Sequence, residues 1–148
     1  MKKELQEALF AKYPKLFRQR HLPATESCLA FGIECGDGWY SLIDEFSQEL
    51  VDKYDGMLEY AQVKPKFGIL TIHIDKLDGT ISHSDYLHTY SKYQTRSAST
   101  CEVCGNYAIR KSVNGWIHTL CEHHMAEVES RVKDFQNTYV NIYGEHLE

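Results

Sequence analysis

Cys101 and Cys104, then sixteen residues, then Cys121 and His124, make two pairs of side chains with two residues inside each pair. Thiolates and imidazoles are the ligands zinc prefers, four of them at tetrahedral corners. Two ligands so spaced can grip one ion from a single tight turn. Gly105, directly after the first pair, lets that turn close with its amides toward sulfur. The second pair stands where a helix should begin; its members share a helix face, and the helix N-terminus favours thiolate. His124 is the expected fourth ligand, with His118 and His123 as the alternatives. Such a site has no open position for water. The expected Zn2+ is therefore structural, contributing folding energy and no Lewis-acid chemistry.

Other residues could also carry chemistry. His73 and Asp75 lie two apart on an expected strand, the raw material of general-base work or an open metal site. An outward strand face shows the same residues for solubility alone. In CGDGWY, the segment 35–40, Asp37, Trp39 and Tyr40 are recognition groups on a glycine-freed loop, or the entry to a helix with Trp39 as a core plug. Tyr86, Tyr90 and Tyr93 line one face of a helix as core, or as a binding surface. Cys28 and Cys35, even with His21, fit no common metal spacing. The chain has no Gly-rich phosphate loop, G-x-S-x-G, H-E-x-x-H or deaminase signature, so no catalytic residue is assigned and the balance leans away from an enzyme.

The elements that must hold these residues read as α+β. Helices are expected over 2–12, with Leu5, Ala8 and Leu9 as the apolar stripe, and over 41–54, with Ser41 and Asp44 as a capping box and Gly56 past the end. Residues 59–75 alternate as a hairpin or two adjacent strands, with Leu70, Ile72 and Ile74 on one face. Residues 77–80, LDGT, read as a turn. Helices follow over 84–97, with Leu87 in the tyrosine stripe, and from Cys121 to about Tyr139, burying Met125, Val128, Val132 and Phe135. Asn114-Gly115 should reverse a hairpin between the cysteine pairs. The expectation is a small antiparallel hairpin or sheet packed with three to four helices, its α+β core (helix, loop, helix, β-hairpin, helix) spanning 1–97. A treble-clef-like zinc module and C-terminal helix over 98–148 should pack with it as one domain.

Net charge is −5, which argues against indiscriminate binding to a nucleic-acid backbone. The charge is uneven: residues 1–20 hold six Lys/Arg and two acids, residues 21–60 nine acids and Lys53 alone. No apolar run is long enough to span a membrane, and charges interrupt the N-terminal stretch where a secretory signal would be apolar. A cytoplasmic protein with reduced cysteines is expected.

YPKLF near the start, CGDGWYSLID (35–44), QVKPKFGILTIHI (62–74) and CEVCG…GWIHTLCEHH (101–124) resemble a loose group of small, mostly uncharacterised bacteriophage and prophage proteins. Those share a GDGW-type segment, a VK-x-KFG strand and a terminal C-x-x-C-G…GW…TLC-x-x-H finger. Where they usually read KFGGL, this chain has Phe67-Gly68-Ile69-Leu70. The resemblance implies a phage setting and carries over no catalytic residue. The finger is more weakly similar to the zinc knuckles of HNH-type endonucleases. The one adjacent histidine pair, His123-His124, falls where a structural ligand is expected, leaving no general base.

The functional expectation is a phage-encoded accessory protein that binds a host or defence-system protein through the acidic 21–60 region or the tyrosine helix. The alternatives are a nucleic-acid-binding protein or HNH-like nuclease using the finger with Lys2, Lys3, Lys12, Lys15, Arg18 and Arg20, and a small-ligand binder or enzyme using His73, Asp75 and the GDGW loop. Oligomeric state is left open.

Overall fold

The computed structural model describes residues 1–77 and 79–143. Asp78, in the expected LDGT turn, and residues 144–148 lie outside the described residues. Helix α1 (Lys3–Lys12) stops ahead of Pro14, whose ring cannot continue it. It buries Leu9 and Phe10, while Ala8 of the expected stripe is exposed. The chain bends inward just after it, at Tyr13, Leu16 and Phe17, which drags Phe10 to the core side. Three short 3₁₀ turns, Arg18–His21, Cys28–Phe31 and Asp37–Trp39, occupy the irregular stretch.

Helix α2 (Tyr40–Tyr54) buries Leu42, Ile43, Phe46 and Leu50 as their spacing requires. Its start differs from the capping box. The Asp37–Trp39 turn leads straight into the helix, so Ser41 already lies inside the first turn. Asp44 turns instead to Tyr13, whose hydroxyl donates to it at 2.7 Å, and to Lys12 at 2.9 Å. Gly56 takes the left-handed conformation just past the end, φ 74°.

Strands β1 (Leu58–Lys66) and β2 (Ile69–Lys76) pair antiparallel from Leu58↔Lys76 to Lys66↔Ile69, with an irregularity between Tyr60 and Gln62. Helix α3 (His83–Ser97) crosses β2 and α2 and turns its tyrosines inward. Tyr86 and Tyr93 are buried, and the Tyr90 hydroxyl accepts the Ile72 amide at 2.9 Å. Phe46 lies between Tyr60 and Tyr93, with ring centroids 6.3 and 5.1 Å away. Leu87, expected in this stripe, is exposed because the stripe follows the 3–4 spacing of the three tyrosines and Leu87 falls beside it.

The second half is a smaller body. Strands β3 (Ile109–Val113) and β4 (Trp116–Leu120) form a hairpin reversed by Asn114-Gly115, both with positive φ. Helix α4 (Glu122–Tyr143) packs Met125 and Val128 on it. Phe135, expected in this packing, is exposed; it lies at the rim of a shallow groove between α4 and Asn114 of the hairpin turn, past the cluster in which Met125 and Val128 pack. The described residues thus form four α-helices, two small antiparallel sheets and two hydrophobic clusters, one over 9–93 and one over 101–128. No described helix is long and apolar enough to cross a membrane.

The uneven charge resolves inside the fold. The basic N-terminal residues meet the acidic middle one to one: Lys2 with Asp37, Lys12 with Asp44, Lys15 with Asp55 and Arg18 with Glu59. Glu45 and Glu49 in turn hold Arg96 and Lys92 of α3.

Candidate metal centre

The Cys101–Gly105 turn, the hairpin and the first turn of α4 bring Cys101, Cys104, Cys121 and His124 together. Their ligand atoms all lie within 4.8 Å of one another. Cys104 and Cys121 sulfurs are 3.8 Å apart, and Cys101 sulfur is 3.5 Å from His124 Nδ1. Zinc bond lengths at tetrahedral angles set edges of about 3.8 Å between sulfurs and about 3.6 Å between sulfur and nitrogen. Cys121 sulfur to His124 Nδ1 is tighter, 3.1 Å. The four residues could hold a metal, and the donor set and two of these three edges fit a tetrahedral ion.

The local backbone prepares the sulfurs. Gly105 has φ 80° and closes the knuckle with its amide on the Cys101 carbonyl at 2.9 Å. Burial pushes the Cys101 thiol up, but the amides of Cys121, Cys104 and Val103 prevail and bring it down to about 6. At Cys104 the Asn106 amide pulls downward, yet burial and the neighbouring sulfurs leave the thiol raised. Two sulfurs so close cannot both carry charge without a cation between them.

His124 is the histidine in the cluster. His123 points outward to Glu127 at 3.5 Å, forming with it and His124 a second, more exposed grouping. His118 stands on β4 away from the four ligand atoms.

The GDGW segment proves to be part of this centre's support, a role its residue types do not announce. Gly38 N–H donates to the Glu102 carbonyl at 2.8 Å, Gly36 N–H to Glu102 Oε1 at 3.2 Å, and the Trp39 indole to the Thr100 carbonyl at 2.8 Å. A Cβ on Gly38 would sit 2.5 Å from the Gly105 nitrogen and 2.8 Å from that of Cys104. Only glycine admits so close an approach. Trp39 is fully buried, Tyr40 is half-buried and packs on the core, and Asp37 accepts the Lys2 amide at 2.7 Å, which lowers its carboxyl from the usual range.

A second joint lies at the Phe67-Gly68 turn between β1 and β2. Arg110 Nε donates to the Phe67 carbonyl at 2.7 Å, and the Thr119 hydroxyl donates to the Gly68 carbonyl. The GDGW segment, the KFG turn and the finger therefore meet along one seam. At the seam's open side is a cleft of about 560 Å³ lined by Phe67, Trp116, Ile117, Lys66, Glu102 and His118. A wider groove of about 890 Å³ lies beside the knuckle, between Tyr107, Ile109 and the start of α4.

His73 and Asp75 do not come together as a pair. Asp75 accepts Gln19 Nε2 at 2.7 Å, beside buried Glu59, while His73 faces solvent. Cys28 is exposed; Cys35 is buried, and burial pushes its thiol up to about 12. Neither joins a metal-type cluster among the described residues.

No protein-family description, curated protein or solved structure that was compared with this chain matches it.

Proposed function

We propose that this is a non-catalytic binding protein of a phage setting, whose zinc-stapled, treble-clef-like finger and adjoining KFG turn hold single-stranded nucleic acid. One observation carries the reading. The face made by this turn and the β3–β4 hairpin exposes Phe67 and Trp116 beside Lys66 and Arg110, with half-buried Lys64 two residues back along β1; none of the three has an acidic partner among the described residues. No acid occurs over residues 60–74 or 103–121 in a chain of net charge −5. Aromatic platforms among cations are how single strands are held without base pairing.

The basic N-terminal residues do not supply this surface, since four of them are paired with acids. The acidic 21–60 region and the tyrosine helix expected to face a partner protein likewise spend their groups internally. Binding of a host or defence-system protein has a different observation in its favour. Phe135, Tyr139 and Val140 stand exposed along the far half of α4.

The test is anisotropy of a labelled single-stranded 12-mer against salt. Affinity should fall log-linearly with salt, by about 0.7 in slope per phosphate contact, and Lys64→Ala/Lys66→Ala should flatten that slope. No binding, or a salt-independent affinity, overturns the proposal. Affinity capture from a bacterial lysate with and without nuclease separates the protein partner from the strand.

A further inference from the structure

The turn that joins β1 to β2 contains a backbone cost with no structural return. Phe67 has φ 52° and Gly68 φ 73°. Glycine or asparagine adopts that first conformation readily, whereas a phenylalanine there is strained by roughly 1 kcal/mol. The carbonyls of both residues are held from the finger by Arg110 and Thr119, so the turn is fixed. Yet the ring it presents is 66% exposed, and that of Trp116, from the other hairpin, is 74% exposed. Tyr60, the one Phe, Tyr or Trp within β1 and β2, is by contrast buried. Both rings line the same cleft of about 560 Å³, a volume in the range of small-molecule sites.

The polar groups of the cleft differ in sign and place. Lys66 lies over the Phe67 ring at 5.8 Å, with no acidic partner among the described residues. Glu102 receives the Gly36 amide on Oε1, which fixes the carboxylate, and Oε2 has no protein donor among the described residues. His118 completes the lining. A fitting ligand has a flat ring for the aromatics, an anionic group for Lys66, and adjacent N–H donors for a carboxylate that can only accept. Among the bases, guanine alone presents two neighbouring donors, N1–H and N2–H, on its pairing edge. Adenine and cytosine set one donor beside an acceptor nitrogen, and uracil or thymine sets one between two carbonyls.

We infer that the Phe67–Trp116 cleft is a guanine-nucleotide subsite, in which the base stacks on the aromatics, its N1–H/N2–H edge meets the Glu102 carboxylate, and its phosphate lies toward Lys66. The inference rests on the strand-binding reading only for where the nucleotide comes from. The same chemistry is offered by a guanine within a single strand and by a free guanine nucleotide.

The experiment compares labelled dT12 with the same strand carrying one central dG, alongside GMP, AMP, CMP and UMP read by tryptophan fluorescence, to which exposed Trp116 contributes the ligand-sensitive part and buried Trp39 the background. One guanine should tighten the strand about tenfold, the scale of a good two-point contact to a base. Glu102→Gln, which keeps an acceptor for Gly36, should bring the dG/dT affinity ratio to about one with metal content and melting unchanged. Phe67→Asn suits the left-handed turn, so it should leave melting unchanged or raised while weakening guanine binding about tenfold. A purely structural Phe67 would not separate those two readouts. Preference for GMP with no strand binding supports the subsite and sinks the strand-binding reading. Strand binding with equal affinity for all bases, or a preference that survives Glu102→Gln, overturns the subsite and leaves that reading standing. No binding of any strand or nucleotide overturns both.

Discussion

The amide of Gly38 donates to the carbonyl of Glu102 at 2.8 Å, across 64 residues of chain. It places the GDGW segment against the backbone of the cysteine knuckle, where a methyl group would collide with the Gly105 and Cys104 nitrogens. Gly38→Ala should therefore cost about 1–3 kcal/mol, as overpacking typically does. It should also lower metal affinity, although Gly38 is no ligand. Gly79, with nothing near its missing Cβ, is the control: Gly79→Ala should melt as the parent does. Calorimetry with a metal competition assay checks both, and equal metal affinity in Gly38→Ala would refute the coupling.

The two hydrophobic clusters predict how metal loss is felt. Chelation, Cys104→Ser or His124→Ala should strip amide-exchange protection from the 101–128 cluster while much of the 9–93 cluster keeps its own. His118→Ala and His123→Ala should retain one zinc per chain by metal analysis, because neither reaches the four-atom cluster. Zinc loss in either variant would move the ligand assignment.

Tyr90 is held by a bond that its ring alone does not explain. Its hydroxyl accepts the amide of buried Ile72. Tyr90→Phe should leave that amide unsatisfied and cost about 1–3 kcal/mol in urea unfolding. A change near zero would mean that water reaches the Ile72 amide.

Acid should weaken the α2–α3 contact through Glu49. Hydrogen bonds from Lys92, then Lys53, and also from Tyr93, hold its carboxyl down at about 2 against an ordinary 4.5. The unfolded chain therefore binds the extra proton first, so this contribution is complete above about pH 4.5 and is lost as pH falls toward 2. Glu49→Gln should be less stable at pH 6 but show a shallower decline between pH 5 and 3. Measuring the difference between the two proteins cancels the acid sensitivity of the metal ligands, which they share. Parallel declines would remove Glu49 from the account.

Much of this was readable in the chain. Helices and hairpins with strong apolar period appear within a few residues of their expected bounds, because burial of one face decides them. The clustering of Cys101, Cys104, Cys121 and His124 also follows from spacing, since two tight pairs leave few ways to bring four such side chains together. The departures lie where a distant partner decides. Asp44 has the spacing of a capping residue, but Tyr13 and Lys12, thirty-odd residues away in the chain, hold it. Gly36 and Gly38 read as loop freedom, whereas they are thin places for another backbone to enter. The segregated charges suggested two binding faces, and only the fold could reveal that they satisfy each other. Nothing in KFG announces a left-handed phenylalanine, because such a residue persists only when its carbonyls are held from outside.

The Phe67-Gly68 turn belongs to one hydrophobic body and the arms that hold it, Arg110 and Thr119, to the other. The distance between the Phe67 and Trp116 walls is thus an aperture set at a joint, and neither body sets it alone. A substitution at the joint should therefore alter the aperture while each hydrophobic cluster keeps its own packing.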